Sequence, residues 1–513
     1  MSFRSNIFGS LVLGWMMAAL PICLAGQDST SQGQPSQGQP AQGQTAQSPP
    51  PPQTSPVENS IDNGVRTAPA TALSSIAGLQ NGVDSEDTSK GLPRLPALLG
   101  GTGIPTEFFT ALEKSNYLRG GINVGAAYDD NALLAPSGEQ LSNTSETIFP
   151  NISIEQTSAR MHWNLGYAGG LTVNQKITSE DEGSHSLNFN SQFRLSPHVN
   201  LRVAEIFSLT TGFFDAGTGA EAIGAGTPNS SLITPLATQR SSLTTVETNY
   251  HFALNDLVGA SGSFYDLHFS NLPVAGTESS STGTLPLLTE SQTATGSAFW
   301  LHHIFRGDWA GVSYRFDRMT FGSDGEETLV HSFFAINTLD LSHRFTLTGF
   351  VGPQYSENQG FAVIAPTSPS TYDWSVAGGA EGGWRNERTN VTAGYSRTIS
   401  DGGGLLGPER LQNVYGNVRR EFLPRWTAGL NATYGKNQSL VLPSPTGASS
   451  INLTSAGVTL ERSAAKSVGF RIGYTHDFQQ EYGLATPSPS TLDAHRNRFF
   501  VTLSYQWVKP LGM

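Results

Sequence analysis

Six arginines occupy polar positions in segments where apolar and polar residues alternate. They are Arg194, Arg202, Arg315, Arg419, Arg471 and Arg498. A guanidinium group donates paired hydrogen bonds to carboxylates and phosphates, so a pore wall that carries these arginines would favour anionic solutes. We therefore take the six as pore-lining candidates. Glu155, Asp317 and Glu421 share their face. The alternative, which the sequence slightly favours, is that the charges pair across strands and only stiffen the wall.

Two short motifs contain the residue types that bind metal ions. Asp129-Asp130-Asn131 offers clustered oxygen ligands of the kind that calcium prefers. Aspartate and asparagine are also the usual residues where a strand turns, and we prefer that interpretation. The pair His302-His303 needs distant partners to complete a metal site. We therefore predict neither a metal site nor a cofactor.

A hydroxyl nucleophile with a histidine base is the other chemistry to consider. His162, His251, His302, His303 and His331 lie in or near expected strands, and serines are abundant. No Gly-x-Ser-x-Gly nucleophile elbow occurs between a strand and a helix. With eleven histidines in the chain, chance Ser–His pairs are easily made. We predict that the protein is not an enzyme, and a membrane-embedded hydrolase remains the less favoured alternative.

The elements that position these residues repeat with a period of two. Residues 161–167 read MHWNLGY, and residues 498–507 read RFFVTLSYQW. A period of two makes one face of a strand apolar and the other polar. In water the apolar face would pack on a second sheet, whereas in a membrane barrel it contacts lipid. Residues 289–305 and 329–341 alternate poorly, and Glu205 falls on the apolar positions of its segment.

The gaps between these segments are alternately long and short. Phe213–Arg240, Asn271–Glu290 and Glu481–His495 are long polar loops, whereas Ser196–His198 and Leu423–Arg425 are tight turns. Membrane barrels have short periplasmic turns and long external loops. The sequence thus predicts an all-β fold, a transmembrane antiparallel up-and-down β-barrel over residues 117–513. We expect about 18 strands (16 to 20), an even number that would place both chain ends in the periplasm.

The chain before the barrel has three predicted parts. Residues 1–26 have the layout of a secretory signal peptide, with a lipoprotein signal at Cys23 as the alternative. Residues 27–56 form a low-complexity Gln/Gly/Pro/Ser linker, which we expect to be disordered. Residues 57–116 are weakly ordered at best, as a periplasmic segment or a plug.

Charge and hydropathy exclude two classes of protein. The net charge of −12 argues against nucleic acid as a partner, because phosphate binding needs a basic surface. Past the signal no apolar run approaches the ~18–20 residues of a membrane helix, which excludes a helical membrane protein.

Two resemblances extend the prediction. Arg498–Trp507 resembles the C-terminal signal that the barrel-insertion machinery recognises, although Val508–Met513 follow its last aromatic residue. Gly125–Asn131, Gly349–Tyr355 and Gly394–Gly404 resemble segments of a family of bacterial outer-membrane β-barrel porins. Some members of that family are encoded beside exopolysaccharide-export or exosortase systems. The resemblance implies a pore in the outer membrane and supplies no catalytic residues.

We therefore expect a porin-like passive channel in the bacterial outer membrane, for small hydrophilic solutes or an exported polysaccharide. Its expected partners are outer-membrane lipids, the barrel-insertion machinery and polysaccharide-export components. The main alternative is a structural or adhesive surface barrel whose lumen is plugged by Val57–Asn116.

Overall fold

The computed structural model describes most of the chain from Asn116 to Leu511. The described residues are 116–132, 140–176, 182–210, 238–270, 290–305, 308–322, 326–342, 344–360, 371–402, 407–441, 450–465, 467–482 and 493–511. The predicted signal peptide, linker and weakly ordered segment lie outside them, apart from Asn116. Among these residues, none forms a helix long and apolar enough to cross a membrane.

The described residues form one sheet of 18 strands. The strands are β1 Asn116–Asp129, β2 Asn143–Thr157, β3 Met161–Asn174, β4 Glu182–Arg194, β5 Val199–Thr210, β6 Thr238–Ala253, β7 Asp256–Ser270, β8 Ser291–Phe305, β9 Asp308–Phe321, β10 Glu326–Ser342, β11 Phe345–Gln359, β12 Thr371–Arg385, β13 Thr389–Ser400, β14 Glu409–Leu423, β15 Trp426–Ser439, β16 Ser450–Ser463, β17 Val468–Tyr482 and β18 Ala494–Pro510. Each strand pairs antiparallel with the next, and β18 pairs with β1. The predicted all-β, up-and-down antiparallel barrel is confirmed, with 18 strands.

The connections at the two ends of the barrel differ in length. Even-numbered strands lead to the next strand through short turns, such as residues 195–198 and 424–425, at what we call the turn end. Odd-numbered strands lead through longer connections, such as residues 211–237 and 271–290, at the loop end. The connection from β9 to β10, residues 322–325, is the short exception at the loop end.

The two faces of the sheet differ in chemistry. One face exposes apolar side chains, as at Ile152 and Val312, which are 49% and 55% exposed. The other face carries mainly polar side chains, most of them buried, such as Ser186. This second face is the inner one, because Ser291 on β8 hydrogen bonds to Asp401 beside β13, several strands away around the ring. An exposed apolar outer face is the arrangement of a barrel in lipid.

Strands β8 and β10 alternate poorly in sequence because their inner face is apolar as well. Phe299 and Leu301 of β8 and Phe334 and Ile336 of β10 are buried on the inner side, in a cluster that also contains Trp309. With apolar residues on both faces, the period of two disappears from the sequence.

Glu205 lies on the outer face of β5, among the apolar positions, as the sequence pattern indicates. Pairing continues without a shift through Phe189↔Glu205 and Glu205↔Thr244, which excludes a bulge. The Ser242 hydroxyl donates to its carboxylate at 2.8 Å, and the Thr244 hydroxyl donates as well. These bonds offset part of the cost of a carboxylate facing lipid.

One joint in the ring is only half paired. Strands β12 and β13 pair from Arg385↔Asn390 to Gly378↔Arg397 and no further towards the loop end. Thr371–Ala377 of β12 continue to pair with β11 alone. The end of β13 instead turns inwards, where Ile399 packs against inner residues of β9 and β10. We call the gap between Thr371–Ala377 and Thr398–Ser400 the seam.

Hydrogen exchange will test the seam. In detergent we expect the amides of Thr371–Ala377 to exchange faster than those of Gly378–Arg385, because only the second segment has a paired strand on both sides. Strand β11, which is paired on both sides along nearly its whole length, serves as the control. Equal protection along all of β12 would show that β13 closes the joint.

Candidate functional site on the inner wall

The six candidate arginines all have inner-face positions. Each alternates with outer residues of its strand, as Arg471 does between the exposed Phe470 and Ile472 of β17. Arg194 ends β4, Arg202 lies in β5, Arg315 in β9, Arg419 in β14 and Arg498 in β18. The alternation of the strands therefore brings them to one wall, distributed around the ring. Their role as pore-lining residues stays a prediction.

Two of the arginines share one carboxylate. Arg419 Nη2 lies 2.8 Å from Glu461 Oε2, and Arg471 Nη2 contacts the other carboxylate oxygen. The three side chains come from β14, β16 and β17, so the Arg419 guanidinium reaches past β15. The three side chains together have two positive charges and one negative charge.

Arg315 and Arg202 have partners close by. Arg315 donates from Nε and Nη2 to Asp317, two residues along the same face, at distances of 2.8–2.9 Å. Arg202 Nε donates to Asn190 Oδ1 at 3.1 Å, and its register partner on β6 is Glu247. Arg498 stands opposite Asp129 of β1 in the register.

The paired arginine side chains differ in exposure: Arg315 keeps 19% of its surface exposed and Arg471 keeps 11%. The Arg419 side chain keeps 35% of its surface exposed. The exposed part of the Arg419 side chain can therefore still attract an anion.

Sequence reasoning missed the most buried ion pair of the described wall. Arg496 donates to Asp477 Oδ2 from Nε at 3.0 Å and from Nη2 at 2.8 Å, and both side chains are almost fully buried. Ser455 also donates to Asp477, at 2.7 Å. Arg496 has the same parity as Arg498, which was a usable signal. Its partner could not be found, because the register of β17 on β18 is not visible in the sequence.

A second missed pair lies nearer the turn end. Arg119 of β1 contacts Glu155 of β2 at 3.0 Å. Glu155 was recognised on the polar face, whereas Arg119 is followed by two glycines that obscure the alternation of its strand.

The Asp-Asp-Asn motif forms a turn at the loop end. The backbone N–H of Asn131 donates to Asp129 Oδ1 at 3.1 Å, and the backbone N–H of Asn497 donates to Asp130 Oδ1 at 2.7 Å. Asn131 Nδ2 donates to the His495 carbonyl at 2.8 Å. These bonds fasten β1 to the start of β18. Within the described ranges, no group of three or more His, Cys, Asp or Glu side chains could hold a metal ion.

The candidate histidines bond to several kinds of residue. His302 Nδ1 lies 2.9 Å from Asp256 Oδ1, and His331 Nδ1 lies 2.8 Å from the Tyr314 hydroxyl. The His303 ring packs on Trp309 at a centroid distance of 4.9 Å. Each of these three contacts joins neighbouring strands.

The buried pair provides a stability test. Asp477→Asn removes the carboxylate charge that lies 2.8 Å from the buried Arg496 guanidinium group, whereas the Asp129 carboxylate is farther away, at 3.9 Å. We expect the folding free energy, measured by urea titration in lipid vesicles, to fall by about 3 kcal/mol.

The matched control is Glu327→Gln, which breaks the more exposed pair with Arg318 at 2.8 Å. Its expected cost is below about 1 kcal/mol. If both variants lose equal stability, the buried Asp477–Arg496 pair contributes no more to the folding free energy than the exposed Arg318–Glu327 pair.

Comparison with known proteins finds similarity to solved structures only. No protein-family model matches the sequence, and no curated protein sequence matches it. Among solved structures, the chain is similar to the outer membrane protein OpdK of Pseudomonas aeruginosa, with 9% identity and a TM-score of 0.39 over 76% of this chain and 99% of that one.

Two further similarities are of the same strength. The siderophore receptor PirA of Pseudomonas aeruginosa has 10% identity and a TM-score of 0.39, over 77% of this chain and 81% of that one. OprD of the same organism has 11% identity and a TM-score of 0.37, over 77% and 96%. Scores and identities this low do not indicate what this chain binds or transports.

Proposed function

We propose that this protein is a porin-like channel of the bacterial outer membrane for small hydrophilic solutes. The observation that carries the proposal is the closed ring of 18 strands with an exposed apolar outer face and a polar, charged inner face. A ring of this size encloses an aqueous lumen when nothing fills it.

The outer face supports a place in the membrane. Exposed apolar residues recur around it, and exposed aromatic residues lie near both ends, as Trp384 and Trp507 do towards the turn end and Tyr128 and Trp374 towards the loop end. Aromatic rings at two levels match the two interfaces of a bilayer. The strands, of 12 to 17 residues, exceed the ~9–11 that a tilted strand needs to cross.

The charged inner wall supports a preference for anions. The Arg419–Glu461–Arg471 group has a net positive charge, and part of the Arg419 side chain is exposed. Together with the other candidate arginines, it raises the local concentration of anions in the lumen. The described wall offers no observation that favours a polysaccharide over a small solute, so the proposal is limited to small solutes.

One observation favours the plugged structural barrel as a second candidate. Leu257, Leu301 and Val330 lie on the inner face and are completely buried. A wide, open lumen would leave side chains on this face in contact with water. A barrel with a filled interior would serve as a surface or adhesive structure.

Planar-bilayer recording separates the two candidates. For the channel we expect steady conductance with anion preference. Arg419→Gln should reduce that preference, because it leaves Glu461 and Arg471 as a neutral pair. Arg318→Gln, on the outer face, is the matched control and should leave ion selectivity unchanged.

The deletion of residues 27–115 completes this experiment. Conductance that appears only after the deletion would support the plugged barrel. No conductance from either chain would remove the support for a channel.

Labelling on intact cells tests the orientation. In a Cys23→Ser background, we expect an impermeant thiol reagent to label Gly226→Cys, in the connection between β5 and β6, and to spare Pro197→Cys at the turn end. The reason is that membrane barrels place their long connections outside. Labelling of Pro197→Cys alone, or equal labelling of both, would contradict this orientation.

A further inference from the structure

An aromatic cavity opens on the outer face beside the seam. It has a volume of about 450 Å³ and is lined by Tyr314, His331, Phe333, Pro353, Tyr355 and Trp374. Tyr314 packs against Phe333 at 4.8 Å between ring centroids, and Tyr355 packs against Trp374 at 5.0 Å. All six residues have outer-face positions on β9–β12, so the cavity faces the membrane. Its size lies within the ~300–1,000 Å³ of small-molecule pockets.

The seam leaves the β12 side of this cavity open. Tyr372 and Trp374 are 61% and 72% exposed, and no described residue of β13 pairs beside them. The ring of Tyr355 touches both of them. Behind the seam, Ile399 packs on Met319 and Val330, which provides apolar surface on the inner side as well.

Buried polar atoms without partners lie along the same seam. Arg397 is the last residue of β13 that pairs with β12, opposite Gly378. Its Nε is buried without a hydrogen-bond partner, and no described residue forms an ion pair with its guanidinium group. Ser375 Oγ and Arg410 Nε are also buried without partners, while Arg410 Nη2 binds the Asp373 carboxylate across the seam. The Arg397 side chain as a whole is half-buried, so its Nε is the part of it that lacks both water and a partner. A buried donor without a partner is costly, and an anion that accepts from it would remove that cost.

We propose that the seam and the aromatic cavity form a binding site for a long-chain carboxylate. The acyl chain lies in the cavity between Phe333, Tyr355 and Trp374, and the carboxylate accepts hydrogen bonds from Arg397. Trp374 and Gly378, which is opposite Arg397, are four residues apart, or about 13 Å along the strand. An acyl chain spans that distance. Arginine donates two parallel bonds to a carboxylate, which gives the head group a defined position.

This site is separate from the proposed channel. It opens on the lipid side of the wall, whereas the candidate channel residues lie on the inner face. Binding can therefore be measured without any conductance.

Quenching of tryptophan fluorescence by a brominated long-chain fatty acid tests the proposal on the full-length protein in nanodiscs of uncharged lipid. Wild-type protein should show saturable quenching. Trp374→Phe should lose much of the quenching amplitude while it keeps the affinity. Arg397→Gln should weaken binding by about tenfold or more, because a charge-assisted pair is lost.

The matched control is Arg420→Gln, an exposed arginine on the outer face of β14 at the turn end. It should bind as the wild type does, and the fatty alcohol of equal length should bind weakly to all variants. Heat-dependent gel migration confirms that each variant is folded.

Three results would overturn the proposal: quenching that does not saturate, equal affinity of the Arg397→Gln and wild-type proteins, or equal binding of the alcohol and the acid. The last two would indicate general contact with lipid only. Loss of conductance in any variant has no bearing on these outcomes.

Discussion

The pairing of β1 with β18 is the interaction on which the rest of the structure depends. It runs from Tyr117↔Pro510 to Asp129↔Arg498 and turns an open sheet into a ring. An open sheet would present two edges of unpaired backbone groups, which hydrocarbon does not tolerate. The side chains at the loop end stabilise this joint, since the Asp130 carboxylate accepts hydrogen bonds from the backbone N–H and from the side-chain Nδ2 of Asn497.

At the seam the ring is not fully closed, because β12 and β13 pair along only part of their length. Just below it, glycine allows β12 and β13 to approach closely, because a Cβ at Gly379 would lie 2.7 Å from the Tyr395 carbonyl. Just above it, in the connection after β13, Gly402 has a φ of +71°, a backbone conformation that other residues rarely adopt. The freed edge of β12 has backbone N–H and C=O groups without a strand partner on that side, which is costly where they face hydrocarbon.

The inner wall has two distinct regions. Strands β14–β18, β1 and β2 carry ion pairs such as Arg419–Glu461 and Arg119–Glu155, whereas β7–β11 carry an apolar cluster around Trp309. The charged region suits solutes in water, and the apolar region suits packing against another surface. The balance between channel and plugged barrel depends on what lies against the second region.

The sequence by itself determined the fold class. Its period of two fixes which residues share a face, and the alternation of turn and loop lengths fixes an antiparallel, up-and-down order with an even strand number. Both are local properties of the chain, so they can be read without knowledge of distant contacts. The inner-face parity of the six arginines follows in the same way.

Only the tertiary structure decided which charges meet and where the wall opens. The Arg496–Asp477 pair depends on the register between β17 and β18, and a shift of one residue would separate the two side chains. Strands β8 and β10 lack a period of two in the sequence. The tertiary structure gives the reason, because Phe299 and Ile336 pack in one cluster on the inner face. The seam depends on the contact of Ile399 with Met319 and Val330, residues distant in sequence, and no local pattern encodes such a meeting.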